Sequence, residues 1–157
     1  MSKTTPATLA LSKAGIAFTL ATYDYDPNAE RVGLQAAEAM GVSPGEMFKT
    51  LMAELDGKPV CAIVPSDEEV NMKKLAAALG GKSAQMMKPA DAERLTGYKV
   101  GGISPLGQRK LVPTALDELA LLYDEIFLNG GQRGLQIRIK PADLVAALNC
   151  KVADLTR

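Results

Sequence analysis

Met47-Phe48-Lys49-Thr50-Leu51-Met52-Ala53-Glu54-Leu55, then Asp56-Gly57, then Pro59-Val60-Cys61-Ala62-Ile63-Val64: two apolar runs meet across an Asp-Gly pair. Asp-Gly supplies the left-handed backbone that a tight hairpin turn needs, so the stretch reads as a β-hairpin. A second plausible hairpin lies further on. Glu125-Ile126-Phe127-Leu128 leads into Asn129-Gly130-Gly131 and returns as Leu135-Gln136-Ile137-Arg138-Ile139-Lys140, with clear alternation. Antiparallel hairpins in a chain that also carries helices argue for a mixed sheet or a partly closed barrel over a doubly wound parallel sheet.

Helical signals lie between and around these hairpins. Thr5-Pro6 opens a short helix over 5–14 that Gly15 closes, with a capping hydroxyl, proline in the first turn and a terminating glycine. Similar punctuation predicts helices over 30–40, ending at Gly41, over 71–79, closed by Gly80-Gly81, over 89–95, closed by Gly97, and over 141–148. Residues 16–23 are β-branched and aromatic enough for a strand, which places Tyr23 at a strand end before the turn residues 24–28. A short strand is expected over 83–87, and 111–116 with 121–123 are expected to rejoin the core. The pattern is α/β: a mixed sheet or partly closed barrel flanked by helices. With no repeat and no linker, residues 1–157 read as one domain.

Composition narrows the chemistry. There is no histidine, which removes Ser-His-Asp and Cys-His relays. The two cysteines, Cys61 and Cys150, match no metal-ligand spacing; an all-carboxylate metal site stays open, but neither a metal nor a cofactor is expected. They read as reduced thiols in the cytoplasm, with Cys61 in the core. Eighteen Lys and Arg balance 18 Asp and Glu, so no overall positive field gathers nucleic acid. Lys73, Lys74, Arg109, Lys110, Arg133 and Arg138 are scattered, and most are expected at the solvated surface, with room for a local RNA-facing patch. No apolar run reaches the roughly 20 residues of a membrane span.

Thr96-Gly97-Tyr98-Lys99-Val100-Gly101-Gly102-Ile103-Ser104-Pro105-Leu106-Gly107 is the stretch with most to say about function. Its glycines and proline disfavour helix, and adjacent glycines let main-chain N–H groups approach a ligand. The same composition also fits a plain glycine-rich turn. It is no P-loop, lacking the Lys-Ser/Thr pair, and Ser104 is no hydrolase elbow, lacking the second glycine and a histidine base. Gly130-Gly131-Gln132 reads as a hairpin turn. Lys49 lies close after the start of its strand, where a lysine ordinarily snorkels to solvent.

Tyr23 to Ala29, Phe48-Lys49-Thr50-Leu51, Gly97 to Gly107 and Gly130 to Leu135 together resemble, in order and along most of the chain, the YbaK/EbsC family. That family is similar to the editing domain inserted in bacterial prolyl-tRNA synthetases. The resemblance implies a curved, barrel-like sheet flanked by helices and an enzyme that deacylates Cys-tRNA(Pro). Implied partners are tRNA(Pro) charged with cysteine and prolyl-tRNA synthetase. It implies that Lys49 matters most, that Tyr23 lines the same pocket, and that the loop from Gly101 and Gly102 through Ile103, Ser104 and Pro105 faces the ester. Thr50, Ser104 and Asp143 are weaker carry-overs. Tyr25 stands where some relatives have histidine, which argues against acid–base work there. In such an enzyme the substrate's own thiol is the expected nucleophile, which suits a chain without histidine. Two other readings stay open: deacylation of another small amino acid such as alanine, and a module that binds tRNA or a nucleotide without chemistry.

Overall fold

The computed structural model describes residues 4–25 and 32–156, so part of the turn expected over 24–28 and the first residues of the helix expected over 30–40 lie outside the described residues. In order, the elements are α1 (Pro6–Ala14), β1 (Thr19–Thr22), α2 (Val32–Met40), β2 (Phe48–Leu55), β3 (Lys58–Pro65), α3 (Met72–Ala78) and β4 (Ala84–Met86). There follow α4 (Pro89–Thr96), β5 (Thr114–Asp117), β6 (Ile126–Asn129), β7 (Leu135–Ile139), α5 (Pro141–Leu148) and β8 (Lys151–Ala153).

The first hairpin forms about the expected turn, pairing from Phe48 opposite Pro65 to Leu55 opposite Lys58, with Asp56 and Gly57 both at positive φ. It is the centre of a five-stranded sheet, β4-β2-β3-β5-β8, in which β3-β5 and β5-β8 are parallel. The second hairpin, joined through Gly130 to Gly134, belongs to a three-stranded antiparallel sheet, β1-β7-β6. A parallel bridge, Met47 to Phe127, links the two sheets. The result is a mixed α/β fold with a curved, barrel-like arrangement that does not close.

Side-chain alternation along β3 explains why its sequence is apolar without a break. Cys61 and Ile63 join a core between the two sheets, against Ile126, Leu128, Ile137 and Ile139, while Val60, Ala62 and Val64 face Leu75 and Ala76 of α3. Both faces are covered, so both residue sets must be apolar. Three leucines depart from expectation. Leu111 is 91% exposed, and Leu121 and Leu122 stand out from a 3-10 turn at Glu118–Leu122, whereas Val112, β5 and Tyr123 of the same stretches do pack on the core. β8 also was not anticipated: three residues, two of them exposed, carry almost no pattern of their own. Among the described residues, no helix is long and apolar enough to cross a membrane.

Candidate active site

β2 pairs with β3 along its whole length, but β4 covers its other edge only at Ala53, Glu54 and Leu55. From Phe48 to Leu51 that edge has no strand partner among the described residues, so side chains from both faces of the strand reach one space. Phe48, Lys49, Thr50 and Leu51 accordingly all line a cavity of about 470 Å³, a volume typical of a small-molecule site. Tyr23, just past β1, Met86 and Met87 near β4, Gly101 and Ile103 of the glycine loop, and Asn129 and Gln136 of the second hairpin line the same cavity. The wall is mostly apolar, and half-buried Lys49 brings a cation to it.

The glycine loop is held against the turn after β6. A Cβ on Gly102 would lie 2.9 Å from the backbone nitrogen of Arg133 and 3.1 Å from the carbonyl carbon of Gln132, so only glycine allows this approach. Asn129 bridges the two segments: its Nδ2 donates to the Gly101 carbonyl at 3.1 Å, and its Oδ1 accepts from the N–H groups of Gly131 at 2.7 Å and Gln132 at 3.2 Å. Arg133 adds a bond from Nε to the Val100 carbonyl at 2.9 Å and lies 5.3 Å from the centre of the Tyr25 ring, within cation–π range.

Lys49, Thr50, Tyr23, Gly101 and Ile103 therefore share the cavity wall, whereas Gly102, Ser104, Pro105 and Asp143 do not line it. Gly102 is buried behind the wall, and its N–H already donates to the Lys99 carbonyl at 2.8 Å. Ser104 is fully buried and shapes the loop: its Oγ accepts from the Leu106 N–H at 3.2 Å, and its carbonyl accepts from Gln108 Nε2 at 3.0 Å. Pro105 is buried beside it, and Asp143 sits in the first turn of α5, where a carboxylate suits the helix dipole. Burial holds the Tyr23 phenol above its ordinary pKa against hydrogen bonds from Gln136 and Gly134, so it is protonated at neutral pH.

Asn129 and Gln136 escape a reading of the sequence. Asn129 looks like an ordinary turn residue, and alternation puts Gln136 on the same strand face as exposed Arg138, where a glutamine passes for solvated surface. Only 4% of the residue is exposed, in a strand that lies between β1 and β6 and borders the cavity.

Comparison with known proteins adds relatives to this geometry. Residues 26–147 match the family described as the aminoacyl-tRNA editing domain. A protein of Enterococcus faecalis (strain ATCC 700802 / V583), EbsC, provisionally named a Cys-tRNA(Pro)/Cys-tRNA(Cys) deacylase, is 40% identical over 121 residues, covering 76% of this chain and 74% of that protein. The multifunctional Ser/Thr-tRNA deacylase ProXp-y of Escherichia coli (strain K12) is 27% identical over 152 residues, 94% of this chain and 89% of its own. Among solved structures, one described provisionally as a trans-editing enzyme for prolyl-tRNA synthetase superposes with a TM-score of 0.84 at 27% identity, covering 97% of this chain and 95% of that one.

Proposed function

Since the chain belongs to the aminoacyl-tRNA editing family of deacylases, we propose that it hydrolyses mischarged Cys-tRNA(Pro) in trans to prolyl-tRNA synthetase. One observation carries the reading: the unpaired edge of β2 brings Lys49 to the same small cavity as Gly101 of the glycine loop. A terminal adenosine and a small aminoacyl group need such a pair, a cation near the ribose or its phosphate and a close-approaching main chain near the ester.

The sequence has no histidine, and the Tyr23 phenol is held protonated, so neither supplies a ready base. The substrate supplies its own nucleophile instead. The cysteinyl sulfur attacks its ester carbonyl, the bond from that carbon to the ribose oxygen breaks, and the thiol proton ends on the ribose oxygen. The cyclic thioester is then opened by water to free cysteine. An intramolecular nucleophile at high effective molarity asks of the protein mainly positioning and charge stabilisation. Lys49 orients the ribose end, and the loop at Gly101 faces the developing oxyanion. With Gly102 N–H engaged inside the loop, the oxyanion role falls first on Gly101.

The test is deacylation of tRNA(Pro) charged separately with cysteine, serine, alanine and proline, by wild type and Lys49→Ala, with and without prolyl-tRNA synthetase. Cysteine should be lost fastest, and Lys49→Ala should lower the rate on the order of 10²-fold, as losing one electrostatic contact in a dry site does, while its circular dichroism stays native. A rate unchanged in Lys49→Ala would remove the lysine from the mechanism. Equal rates for cysteine and serine would point to water as nucleophile, and preference for alanine would move the enzyme to another editing class. Because net charge is zero, tRNA affinity should rise when the synthetase is present; tight, tRNA(Pro)-selective binding without it would count against that partnership.

A further inference from the structure

Two polar atoms of cavity-lining residues are left over by the fold. Thr50 Oγ1 and Gln136 Oε1 are both buried, and neither has a hydrogen-bond partner among the described residues. Their residues come from different sheets, on β2 and β7, yet line the one cavity. Of the Gln136 amide, Oε1 is the atom left bare; Nε2 is not. A carbonyl oxygen can only accept, and a threonine hydroxyl can accept or donate. Neither is cheaply left bare in an apolar wall built from residues such as Met52, Met87 and Ile103.

The occupant that completes this arrangement must bring a hydrogen-bond donor. On the editing reading above, which this inference deepens, the tRNA body is far larger than the cavity and stays outside, so the aminoacyl group is the part that reaches the most buried atoms. We propose that Gln136, aided by Thr50, is a specificity-determining residue that reads a donor on a small aminoacyl side chain, favouring a hydroxyl over a thiol and rejecting alanine. Binding and chemistry then select differently. A serine hydroxyl is the stronger donor and gains more from Oε1, whereas a cysteine thiol is the weaker donor but the better nucleophile. Cysteine is preferred through kcat and serine through KM.

The experiment measures the affinity of stable 3′-amino-3′-deoxyadenosine amides of serine, cysteine and alanine for wild type, Gln136→Leu and Thr50→Val, beside deacylation of the corresponding charged tRNAs. Wild type should bind the seryl amide on the order of 10²-fold more tightly than the alanyl amide, and Gln136→Leu should bring the two within about threefold, since a site built around a polar contact discriminates through the group it leaves unpaired. Thr50→Val, nearly isosteric, should narrow the gap in the same direction and carries the test should Gln136→Leu not fold. An equal loss for all three amides would mean that Gln136 holds the α-ammonium or the ribose, and it overturns the inference. So does equal binding of seryl and alanyl amides by wild type, or no binding of any amide. Selective binding without turnover of any charged tRNA would sink the editing reading and leave this inference standing.

Discussion

Asn129 uses three polar contacts to hold two glycine-rich segments together, and each has a good distance. A neutral hydrogen bond in a protein contributes about 1 kcal/mol net, and more is lost when a partner stays buried and unpaired. Asn129→Ala should therefore cost about 2 kcal/mol, a fall in melting temperature of roughly 4–8 °C for a chain of this length, measurable by thermal unfolding. It should also raise KM, because Gly101 loses the contact that fixes its carbonyl. Unchanged KM in a folded Asn129→Ala variant would show that the loop holds its shape without the bridge. Lys49 behaves differently: it lies on a strand whose register is set by eight paired positions in the hairpin, so its removal should leave the backbone in place.

Among the elements, the N-terminus of α1 holds both loops around the site. Thr5 caps its own helix through Thr8 and also donates from Oγ1 to the Gly130 carbonyl at 2.5 Å. Gly107 lies so close to Pro6 that a Cβ there would sit 2.4 Å from its carbonyl oxygen, at a φ of +67°, whereas Gly15, at +71°, has nothing within 4 Å. The backbone conformation is alike at both positions and the surroundings are not. Gly15→Ala should cost about 1 kcal/mol for the left-handed backbone alone. Gly107→Ala should add about 1–3 kcal/mol, because backbone on both sides must move apart. Urea unfolding of the two variants separates these terms; equal losses would show that α1 and the loop part without cost. The same docking predicts that Gly107→Ala reduces activity through the glycine loop, while Gly15→Ala does not.

Across the whole molecule, the core between the sheets contains groups that stay protonated well into alkali. Burial pushes the Cys61 thiol up to about 12 from an ordinary 9.0, with hydrogen bonds from Thr114 and Gln108 opposing it. Burial likewise pushes the Tyr98 phenol up to about 12 from 10.0. Below pH 9 the folded and unfolded chains both keep these protons, and the folded state has its full advantage. Above it the unfolded chain releases first the thiol proton and then the phenol proton, which the folded chain retains, so stability falls as pH rises towards 12. Urea midpoints under reducing conditions should decline from about pH 9 upward, and Cys61→Ala should flatten the first part of that decline. A parallel decline in the variant would assign it to other groups.

The local grammar of this chain is written in single short stretches. Thr5-Pro6 and Gly15, Asp56-Gly57, Gly80 and Gly97 each mark a boundary that appears at or near its expected place, because capping and tight turns depend on neighbours within a few residues. The family likeness is legible for a related reason: it rests on short motifs around Tyr23, Lys49, the glycine loop and the second hairpin turn. Assembly is not local. The parallel pairing of β3 with β5 and β8 joins segments far apart in sequence, and Lys151 to Ala153 show no pattern until β5 lies beside them. Leu111, Leu121 and Leu122 look like core by composition, yet among the described residues they are exposed. The site shows the same division. Lys49 and Gly101 stand out by residue type, but the bare edge of β2 that gives them a shared cavity exists because β4 stops at Ala53. Gln136 becomes notable only when packing buries its amide beside the cavity and leaves one oxygen without a partner among the described residues, a fact of tertiary packing that no spacing of residues encodes.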